Sequence, residues 1–401
     1  MNAIQFGPIF NLLPQFVNAR MKKFKQNIKF YDSSKKIELN DIWNLIDLQN
    51  IKKFNPCYFE ENIKKGLLNR SNFNPLFDSV YTVYEGMTFN NNLNKFVDKY
   101  FVPNDIEIDY KSFLLIVEKY FENFEGKKIA VQLSGGLDSS IIIGLLEYFN
   151  IPFCLVGMSS TRYEFRTERH IQNTIASKTD KVVLIDYEEH LPFTTMDIAP
   201  ISQTPDLSII NLSADNAMAN ACKELGVDIL FSGFGGDVLF ATEVPIKNED
   251  CNWKPQLFYD SWIIDLVYAP NGVQLVPFYA DIEIMKAIYN LRRGMKEDIS
   301  KKWARLFFKD LIPEELAKYT YVADFWGLYI SGLLDNIETF RYNNKLAYET
   351  THNNYFAEKE FQNHVINKDL LSGKKNIYQP IEARISFSAW INVLYKNGIL
   401  K

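Results

Sequence analysis

Two short glycine-rich segments contain the residues whose types and spacing could do chemistry. The first is Ser134-Gly-Gly-Leu-Asp-Ser-Ser140, and the second is Ser232-Gly-Phe-Gly-Gly-Asp237. In the first, Gly135 and Gly136 allow the backbone to approach an anion and to present successive N–H donors. Three hydroxyl groups of this segment add further donors: those of Ser134, Ser139 and Ser140. The pattern predicts a phosphate-binding loop, and the alternative is a glycine-rich turn capped by serines.

The two aspartates in these segments point to a metal ion. Asp138 would repel a phosphate unless Mg²⁺ bridged its carboxylate and the phosphate oxygens. A helix that starts near Ser139 would direct its positive end at the same anion. Asp237 also follows glycines, so we predict it as a second Mg²⁺ ligand, with a helix N-cap as the alternative. The first segment lacks a Gly-Lys-Ser/Thr ending, which argues against transfer of a γ-phosphate.

The surrounding pattern indicates a sheet that positions both segments. Apolar runs predict four strands, over residues 129–133, 153–157, 181–185 and 228–231. Helical patterns alternate with them, over residues 141–149, from near Thr167, and over residues 215–225. This alternation predicts an α/β fold with a doubly wound parallel sheet. Ligands of such sheets bind at the carboxyl ends of the strands, where both glycine-rich segments lie.

The flanking regions differ from this core. Residues 1–110 are predicted to form a small mixed domain, and residues 111–401 the main one. Within the first, residues 79–84 are β-branched and aromatic and precede Glu85-Gly86, which predicts a hairpin. A helical pattern follows over residues 106–124. After the second glycine-rich segment the chain is predicted to be mainly helical, over residues 282–291, 300–311, from Pro313 onward and 387–395.

Composition narrows the class of protein. The chain has 401 residues, of which 47% are hydrophobic, enough for a large core. A net charge of -5 argues against a nucleic-acid binder, so no nucleic-acid partner is expected. Four scattered cysteines without a C-x-x-C pair indicate reduced thiols in a cytoplasmic protein. No apolar run approaches the roughly 20 residues of a membrane helix, so no membrane association is expected.

These motifs resemble a known superfamily. Residues 134–140 resemble the pyrophosphate loop of the N-type ATP pyrophosphatases. The surrounding sequence is similar to the synthetase domain of class B asparagine synthetases, β-lactam synthetases and lasso-peptide cyclases, over about residues 120–330. Supporting similarity lies in residues 205–208, 232–240 and 302–316. The resemblance implies that ATP is cleaved between its α- and β-phosphates, that AMP moves to a carboxylate, and that an amine displaces it.

The resemblance also implies roles for individual residues. Asp138 and Asp237 would hold Mg²⁺ on the pyrophosphate of ATP. The adenine site would be lined by Leu133, Val156 and Met158. The second loop would be kept close to the nucleotide by Gly233 and Gly235, with Phe234 between them as a further candidate nucleotide-binding residue. The implied cofactors are therefore ATP and Mg²⁺.

The sequence departs from this superfamily near its beginning. Glutamine-dependent members have a nucleophilic cysteine after the initiator methionine, where this chain has Asn2. Residues 1–110 are also short for an intact glutaminase, and Cys57 is expected to be a packed thiol. We therefore expect a reduced remnant of an amidotransferase domain without glutaminase activity.

Two further departures concern the candidate catalytic residues. Phe234 replaces the usual Glu or Tyr and cannot move a proton, so it is expected to shape an apolar substrate pocket. Asp260 could act as the base, or it is a solvated loop residue. The usual catalytic lysine position falls on Tyr321, and Lys318, one turn earlier, either substitutes for it or is a surface lysine. Three arginines could clamp a phosphate or a carboxylate, or begin a solvated helix: Arg162, Arg166 and Arg169.

These features favour an amide-forming enzyme that does not use glutamine. The best instance is a lasso-type macrolactam cyclase, which would activate an Asp or Glu side chain of a precursor peptide for attack by the peptide's own α-amine. A β-lactam synthetase-like activity on a small amino-acid-derived substrate is the related case. Expected partners include a leader-binding protein and a peptidase. The alternatives are an asparagine synthase using ammonia, and a non-catalytic ATP-binding scaffold.

Overall fold

A computed structural model describes much of the chain: residues 29–32, 37–39, 80–83, 87–90, 95–98, 108–177, 179, 181–244, 261–318, 325–362 and 378–400. The first five ranges are the strands β1 (Lys29–Asp32), β2 (Ile37–Leu39), β3 (Val80–Val83), β4 (Met87–Asn90) and β5 (Lys95–Asp98). β1 pairs antiparallel with both β2 and β3, whereas β4 pairs with β5. The hairpin predicted around Glu85-Gly86 is therefore wrong, because β3 and β4 flank this dipeptide but belong to different sheets. The dipeptide indicates a turn without indicating which strand will be the partner.

The residues that follow form a five-stranded sheet. Its strands are β6 (Ile129–Gln132), β7 (Phe153–Ser159), β8 (Val182–Asp186), β9 (Ile229–Ser232) and β10 (Gln274–Pro277). They are all parallel, in the order β10-β9-β6-β7-β8. The chain moves outward from β6 in both directions, which confirms the predicted doubly wound sheet. The strand order reverses between β6 and β9, the position where such sheets bind ligands.

The sequence prediction missed β10. This strand lies at the edge of the sheet and ends in Pro277, a residue that weakens a strand pattern. Its four residues stand in a region where the helical pattern dominates. A short edge strand therefore carried too little signal against its surroundings.

Helices cover the sheet and form the later part of the chain. The helices around the sheet are α1 (Tyr110–Glu122), α2 (Leu137–Tyr148), α3 (Arg166–Ala176), α4 (Leu212–Glu224), α5 (Gly236–Ala241), α6 (Ser261–Ile263), which continues as a π-helix over Ile264–Tyr268, and α7 (Ile282–Leu291). The remaining helices are α8 (Lys302–Phe307), α9 (Glu314–Lys318), α10 (Trp326–Asp335), α11 (Ile337–Thr351), α12 (Glu358–Phe361) and α13 (Tyr378–Lys396). The predicted helix over 300–311 ends early, at Phe307, and the helix predicted over 387–395 is the later part of α13.

The sheet separates two hydrophobic cores because successive strand residues point to opposite faces. On one face, Ile129 and Val131 pack with residues of α1, α2 and α7. On the other face, Ala130 packs with residues of α4 and α13. Cys154 and Cys222 are free thiols buried in this second core, as the cysteine pattern predicts. Both faces of the sheet are thus covered, which leaves its strand ends for a ligand.

The last helix is the centre of the later helical part. The residues of α13 from Ala383 to Leu394 are all buried. Trp390 Nε1 donates a hydrogen bond of 2.9 Å to the carbonyl of Ser202, which ties this helix to the loop before α4. Within the described ranges, every helix is too short or too polar to cross a membrane.

Candidate functional site

The two glycine-rich loops pack against each other beyond the ends of β6 and β9. A Cβ atom on Gly233 would lie 3.0 Å from Ser139 N. A Cβ atom on Gly236 would lie 2.5 Å from Cγ of Asp138, closer than packed atoms allow. Gly235 has a φ of 91°, a conformation that side chains other than that of glycine rarely adopt. The second loop therefore needs its glycines in order to reach the first.

Internal hydrogen bonds fix the first loop. Gly136 N donates to Ser134 Oγ over 3.1 Å, and the hydroxyls of Ser134 and Ser139 lie 2.8 Å apart. Ser140 Oγ donates to the carbonyl of Gly136 over 2.8 Å. Ser139 and Ser140 are buried, whereas Ser134 is exposed. Of the three predicted hydroxyl donors, the structure thus presents Ser134 at the surface and uses the other two to hold the first turn of α2.

Asp138 and Asp237 meet at one cation, the ammonium group of Lys301. Lys301 Nζ lies 2.8 Å from both carboxylate oxygens of Asp138 and 2.5 Å from Oδ1 of Asp237. The side chains of Asp138 and Lys301 are only 15% and 13% exposed, whereas that of Asp237 is 87% exposed. The predicted metal ligands therefore lie close together, although the positive charge between them belongs to the protein.

A structured turn directs Lys301 into the site. Lys301 has a φ of 53°, in the left-handed region that side chains rarely adopt. The carboxylate of Asp298 accepts hydrogen bonds from the backbone N–H groups of Ser300 and Lys302, at 3.0 and 2.9 Å. Arg305 Nε donates to the carbonyl of Ser300 over 3.0 Å. These contacts fix the unusual backbone conformation that points the ammonium group at the two aspartates.

Burial and the charge of Lys301 shift the pKa of Asp138 in opposite directions. Burial raises the pKa of Asp138 to about 6, and the negative charge of Asp237 acts in the same direction, whereas Lys301 lowers it. Tyr279 donates a hydrogen bond of 2.8 Å to the backbone carbonyl of Asp138, and its own pKa is raised well above its usual value by burial. Two carboxylates held this close repel each other and need a cation between them. A ligand that displaces Lys301 must therefore bring positive charge of its own.

Sequence reasoning missed Lys301. It stands beside Lys302, and two lysines before a helix indicate a solvated helix start. One feature of the sequence could have indicated a role for Lys301. It directly precedes residues 302–316, which resemble the corresponding segment of the superfamily. The sequence does not show that its side chain crosses to the glycine-rich loops.

The carboxylate pair suits Mg²⁺ in its chemistry. Mg²⁺ prefers oxygen ligands and is usually bound by one or two carboxylates together with substrate phosphates. The described residues contain no cluster of three or more His, Cys, Asp or Glu side chains that could hold a metal ion. Asp138 and Asp237 alone would thus bind Mg²⁺ weakly, and phosphate oxygens would have to complete its coordination. The metal assignment stays a prediction.

A narrow cleft lies beside the first loop, at the ends of β6 and β7. Its lining includes Leu133, Met158 and three aromatic residues, Phe165, Tyr187 and Phe325. Gln172, buried below, donates to the carbonyls of Leu133 and Met158 over 3.1 and 2.7 Å. Two of the three residues predicted for the adenine site therefore line one cleft.

Val156, the third residue predicted for the adenine site, is fully buried. Its carbonyl accepts a hydrogen bond of 2.9 Å from Leu133 N, so it positions the cleft from behind. The ring of Phe325 packs edge-on against Phe165 and Tyr187, with centroids 5.1 and 5.9 Å away. The cleft encloses about 40 Å³, room for little more than one water molecule. A nucleobase could enter only if these rings separated.

Of the residues predicted to act in catalysis or to shape the substrate pocket, the structure describes Lys318 and Phe234. Lys318 is 59% exposed and pairs with Glu314 on its own helix, α9. Asp260 and Tyr321 lie outside the described residues. Phe234 is 52% exposed at the tip of the second loop, where an apolar substrate could contact it. The roles of these residues stay predictions.

The three arginines after β7 already have partners. Arg162 forms two parallel hydrogen bonds of 2.8 Å to the carboxylate of Glu188. Arg169 donates to the carbonyl of Ser160 over 2.7 Å, and Arg166 lies 4.0 Å over the ring of Tyr163. In this structure they stabilise the loop between β7 and α3, and an anion would have to compete for them.

The part of the chain that matches a known protein family contains both glycine-rich loops. Residues 125–261 match the sequence profile of the family described as asparagine synthase. This segment is similar to the asparagine synthase family. It covers about a third of the chain and contains both glycine-rich loops and both aspartates. A search of curated proteins found no match.

Two solved structures show a distant likeness. NMN synthetase from Francisella tularensis is 14% identical, with a TM-score of 0.33, and the match covers 73% of this chain and 96% of that one. Glutamine-dependent NAD+ synthetase from Acinetobacter baumannii, in complex with ADP, is 12% identical, with a TM-score of 0.28. That match covers 77% of this chain and 49% of the other, so this chain spans about half its length. Neither likeness is close enough to transfer a site residue or an activity.

Proposed function

We propose that this chain is an ATP-dependent amide-bond-forming enzyme that works through an acyl-adenylate. The observation that carries the proposal is the meeting of Asp138 and Asp237 at one cation, between two glycine-rich loops at the point where the strand order reverses. Ligands bind at this position in doubly wound sheets. The similarity of residues 125–261 to the asparagine synthase family supports the same chemistry.

The loops would bind the pyrophosphate part of ATP. The N-terminus of α2 directs its backbone N–H groups and its positive dipole end at an anion in the first loop. Asp138 and Asp237 would hold Mg²⁺, which neutralises phosphate charge when it is bound. Lys301 would add a second positive charge beside the departing pyrophosphate. The adenine ring would enter the cleft between Leu133 and Met158 once Phe325 has moved.

The proposed reaction has two steps. A carboxylate oxygen of the substrate attacks the α-phosphorus of ATP, and the bond from that phosphorus to the pyrophosphate oxygen breaks. The amine nitrogen then attacks the acyl carbon and AMP leaves, while the amine loses a proton to solvent or to a base. Activation is needed because a carboxylate does not react with an amine directly. AMP is a far better leaving group than the oxide ion that would otherwise have to leave. Holding both groups in one site adds effective concentration.

For the substrate, we propose a ribosomal precursor peptide that is closed into a macrolactam. The resemblance to lasso-peptide cyclases supports this choice. The exposed ring of Phe234 offers an apolar contact beside the second loop. A cytoplasmic setting, a leader-binding protein and a peptidase belong to the same proposal.

ATP–pyrophosphate exchange tests the proposal. Purified protein with MgATP and labelled pyrophosphate should incorporate label only when a suitable carboxylate substrate is present. A panel of candidates would include aspartate and precursor peptides encoded by neighbouring genes. Tight ATP binding without exchange for any carboxylate would instead identify a nucleotide-binding scaffold.

The identity of the amine is tested separately, with AMP release as the signal. Turnover with aspartate and ammonia would identify an asparagine synthase-type ligase. Turnover with a precursor peptide alone, with loss of one water from the product mass, would identify a cyclase. Added glutamine should have no effect in either case.

A further inference from the structure

Helix α13 carries polar side chains into the interior of the molecule. Arg384, Ser388 and Asn392 are each no more than 2% exposed, although most buried helices present apolar residues. Its neighbour α11 packs closely against it and contributes Asn343 and Asn344, both 1% exposed. The interface between these two helices is thus polar and closed to solvent.

Arg384 is the charged centre of this interface and is firmly held. Its Nε donates a hydrogen bond of 2.8 Å to Oδ1 of Asn344. The amide nitrogen of Asn344 donates in turn to the carbonyl of Phe356 over 2.6 Å, which fixes the orientation of the amide. The guanidinium carbon lies 4.8, 5.9 and 5.5 Å from the ring centroids of Tyr355, Phe356 and Phe361. The side chain therefore has a defined position and two amino groups left to bond.

Neither amino group of Arg384 has a hydrogen-bond acceptor in the described part of the chain. Both amide atoms of Asn343 and the hydroxyl of Ser388 also have no partner there. Ser388 lies one helical turn after Arg384, so both side chains leave the same face of α13. Several of these groups are donors, and they lie on the same two packed helices as a buried positive charge.

Burial lowers the pKa of Arg384 to about 10, so the guanidinium keeps its charge at neutral pH. The flanking rings attract a cation but are poor acceptors for its N–H groups. Glu358 and Glu360 act on it electrostatically without accepting a hydrogen bond from either amino group. A buried ion in this situation is costly unless something pairs with it.

We infer that Arg384 is the centre of a structural site for a small monovalent anion, either a halide or a one-carbon carboxylate. Its two amino groups present N–H bonds in a planar fork that suits such a ligand. The amide nitrogen of Asn343 and the hydroxyl of Ser388 supply further donors. The burial of every side chain named favours a small anion over a large one. Water alone could satisfy the donors but would not balance the charge.

The inferred site has a structural consequence for the rest of the domain. It would join α11 to α13, and α13 holds the loop before α4 through Trp390 and Ser202. The anion would thus stabilise the helical part that supports one face of the sheet. This inference does not depend on the proposed reaction.

Thermal unfolding of the full chain tests the site. Sodium gluconate, whose anion is too large to enter, is replaced stepwise by chloride or by formate at constant ionic strength. The midpoint should rise by about 2 °C at ten times the Kd for the anion that binds, and it should go on rising with the logarithm of the anion concentration. A response to chloride alone assigns a halide site, and a response to formate alone assigns a carboxylate site.

The variant Arg384→Met should lose this response, while Arg341→Met, which removes a partly exposed arginine of α11, should keep it. If Arg384→Met does not fold, crystals of the native protein grown with bromide provide the second test. An anomalous peak within hydrogen-bond distance of the Arg384 amino groups is expected. The inference is wrong if neither anion shifts the midpoint, if Arg384→Met responds like the native chain, or if only water occupies the position.

Discussion

Asp138, Asp237 and Lys301 come from three separate segments and meet within hydrogen-bond distance. The side chain of Asp138 is only 15% exposed and held from two sides, whereas that of Asp237 is 87% exposed and can follow a ligand. Lys301 balances their charge in this structure. Binding of a metal–nucleotide complex would bring both new positive and new negative charge, and the ammonium group would then face phosphate oxygens as well as carboxylates.

The first prediction concerns the two carboxylates. Asp138→Asn and Asp237→Asn should each lower AMP formation by about 100-fold or more, because a neutral amide binds a cation poorly. Asp237 is exposed, so its replacement should change the free energy of unfolding by no more than about 0.5 kcal/mol. AMP release and urea unfolding are the measurements. Normal turnover by either variant would exclude the metal assignment.

The second prediction compares the role of Lys301 in the site with that of the adjacent Lys302. Lys301→Met should slow ATP–pyrophosphate exchange about 10- to 100-fold, the loss expected when a charge-assisted hydrogen bond is removed. The KM for pyrophosphate should rise more than the KM for the carboxylate. Lys302 is exposed on the next residue, so Lys302→Met is the matched control and should behave like the native chain. Equal effects of the two substitutions would contradict the assignment.

The sequence predicted the aspartates but missed the lysine, for a physical reason. Each aspartate follows glycines after a buried strand, a local pattern that places it at a known edge of a parallel sheet. The direction of Lys301 depends on a left-handed backbone conformation and on the Asp298 turn. A lysine tolerates many surroundings, so its residue type and spacing do not reveal such a contact.

Helices α2 and α5 shape the site because their first turns bring the backbones of the two loops into contact. α5 begins at Gly236, so the second loop passes into a helix at its contact with Asp138. α2 begins at Leu137, so its first turn supplies both Asp138 and the buried serines. The sequence predicted this helix to start later, because polar residues in a first turn resemble a loop. The strands β6, β7, β8 and β9 were predicted correctly, since each is a short apolar run.

The third prediction tests this loop contact. Gly236→Ala places a Cβ atom 2.5 Å from Cγ of Asp138, so that carboxylate must turn away from Lys301. Exchange activity should fall to the level of Asp138→Asn, while the free energy of unfolding falls by only about 1 to 2 kcal/mol. Activity and urea unfolding are compared on the same preparation. A native exchange rate in Gly236→Ala would show that the loops need not touch.

The fourth prediction concerns Asp215, which α4 carries into the second core. Burial raises its pKa from 3.8 to about 7, and Tyr268 donates a hydrogen bond of 3.2 Å to it. Because the folded pKa exceeds the unfolded one, Asp215 stabilises the fold fully below about pH 4, and this contribution is lost as the pH rises through 7. Between pH 5 and 8 the loss should approach about 3 kcal/mol.

Asp215→Asn keeps the hydrogen-bond acceptor for Tyr268 but cannot ionise. Its free energy of unfolding should therefore lack this part of the pH dependence. Urea unfolding of both proteins at pH 5 and pH 8 gives the comparison, because contributions from other groups cancel in the difference. Parallel pH profiles would mean that Asp215 titrates in the folded state as it does in the unfolded chain.

At the scale of the whole molecule, the sheet and the later helices depend on each other. α13 belongs to the core on one face of the sheet and also packs against α11. The sequence predicted an apolar helix only for its later part, from residue 387, because Arg384 and Ser386 interrupt the apolar pattern before it. Only the folded structure shows that these polar residues are buried.

The fifth prediction tests this dependence. Trp390→Phe keeps most of the ring but leaves the carbonyl of Ser202 without its donor. The free energy of unfolding should fall by about 1 to 3 kcal/mol, the cost of an unsatisfied buried group together with lost packing. Tyr395→Phe on the exposed end of the same helix is the control and should unfold like the native chain. Equal stability of Trp390→Phe and the native chain would make this hydrogen bond dispensable.

The strand order also bears on how the chain is made. β6 pairs on one side with β7, which follows shortly after it, and on the other side with β9, whose Ile229 lies opposite Ile129. During synthesis, the second edge of this apolar strand stays uncovered until about 100 further residues have emerged, which takes about 5 to 20 s at common translation rates. Over that interval the nascent chain exposes a template for aggregation. Slower elongation or a shortage of chaperones should therefore reduce the yield of folded protein before it alters the finished molecule.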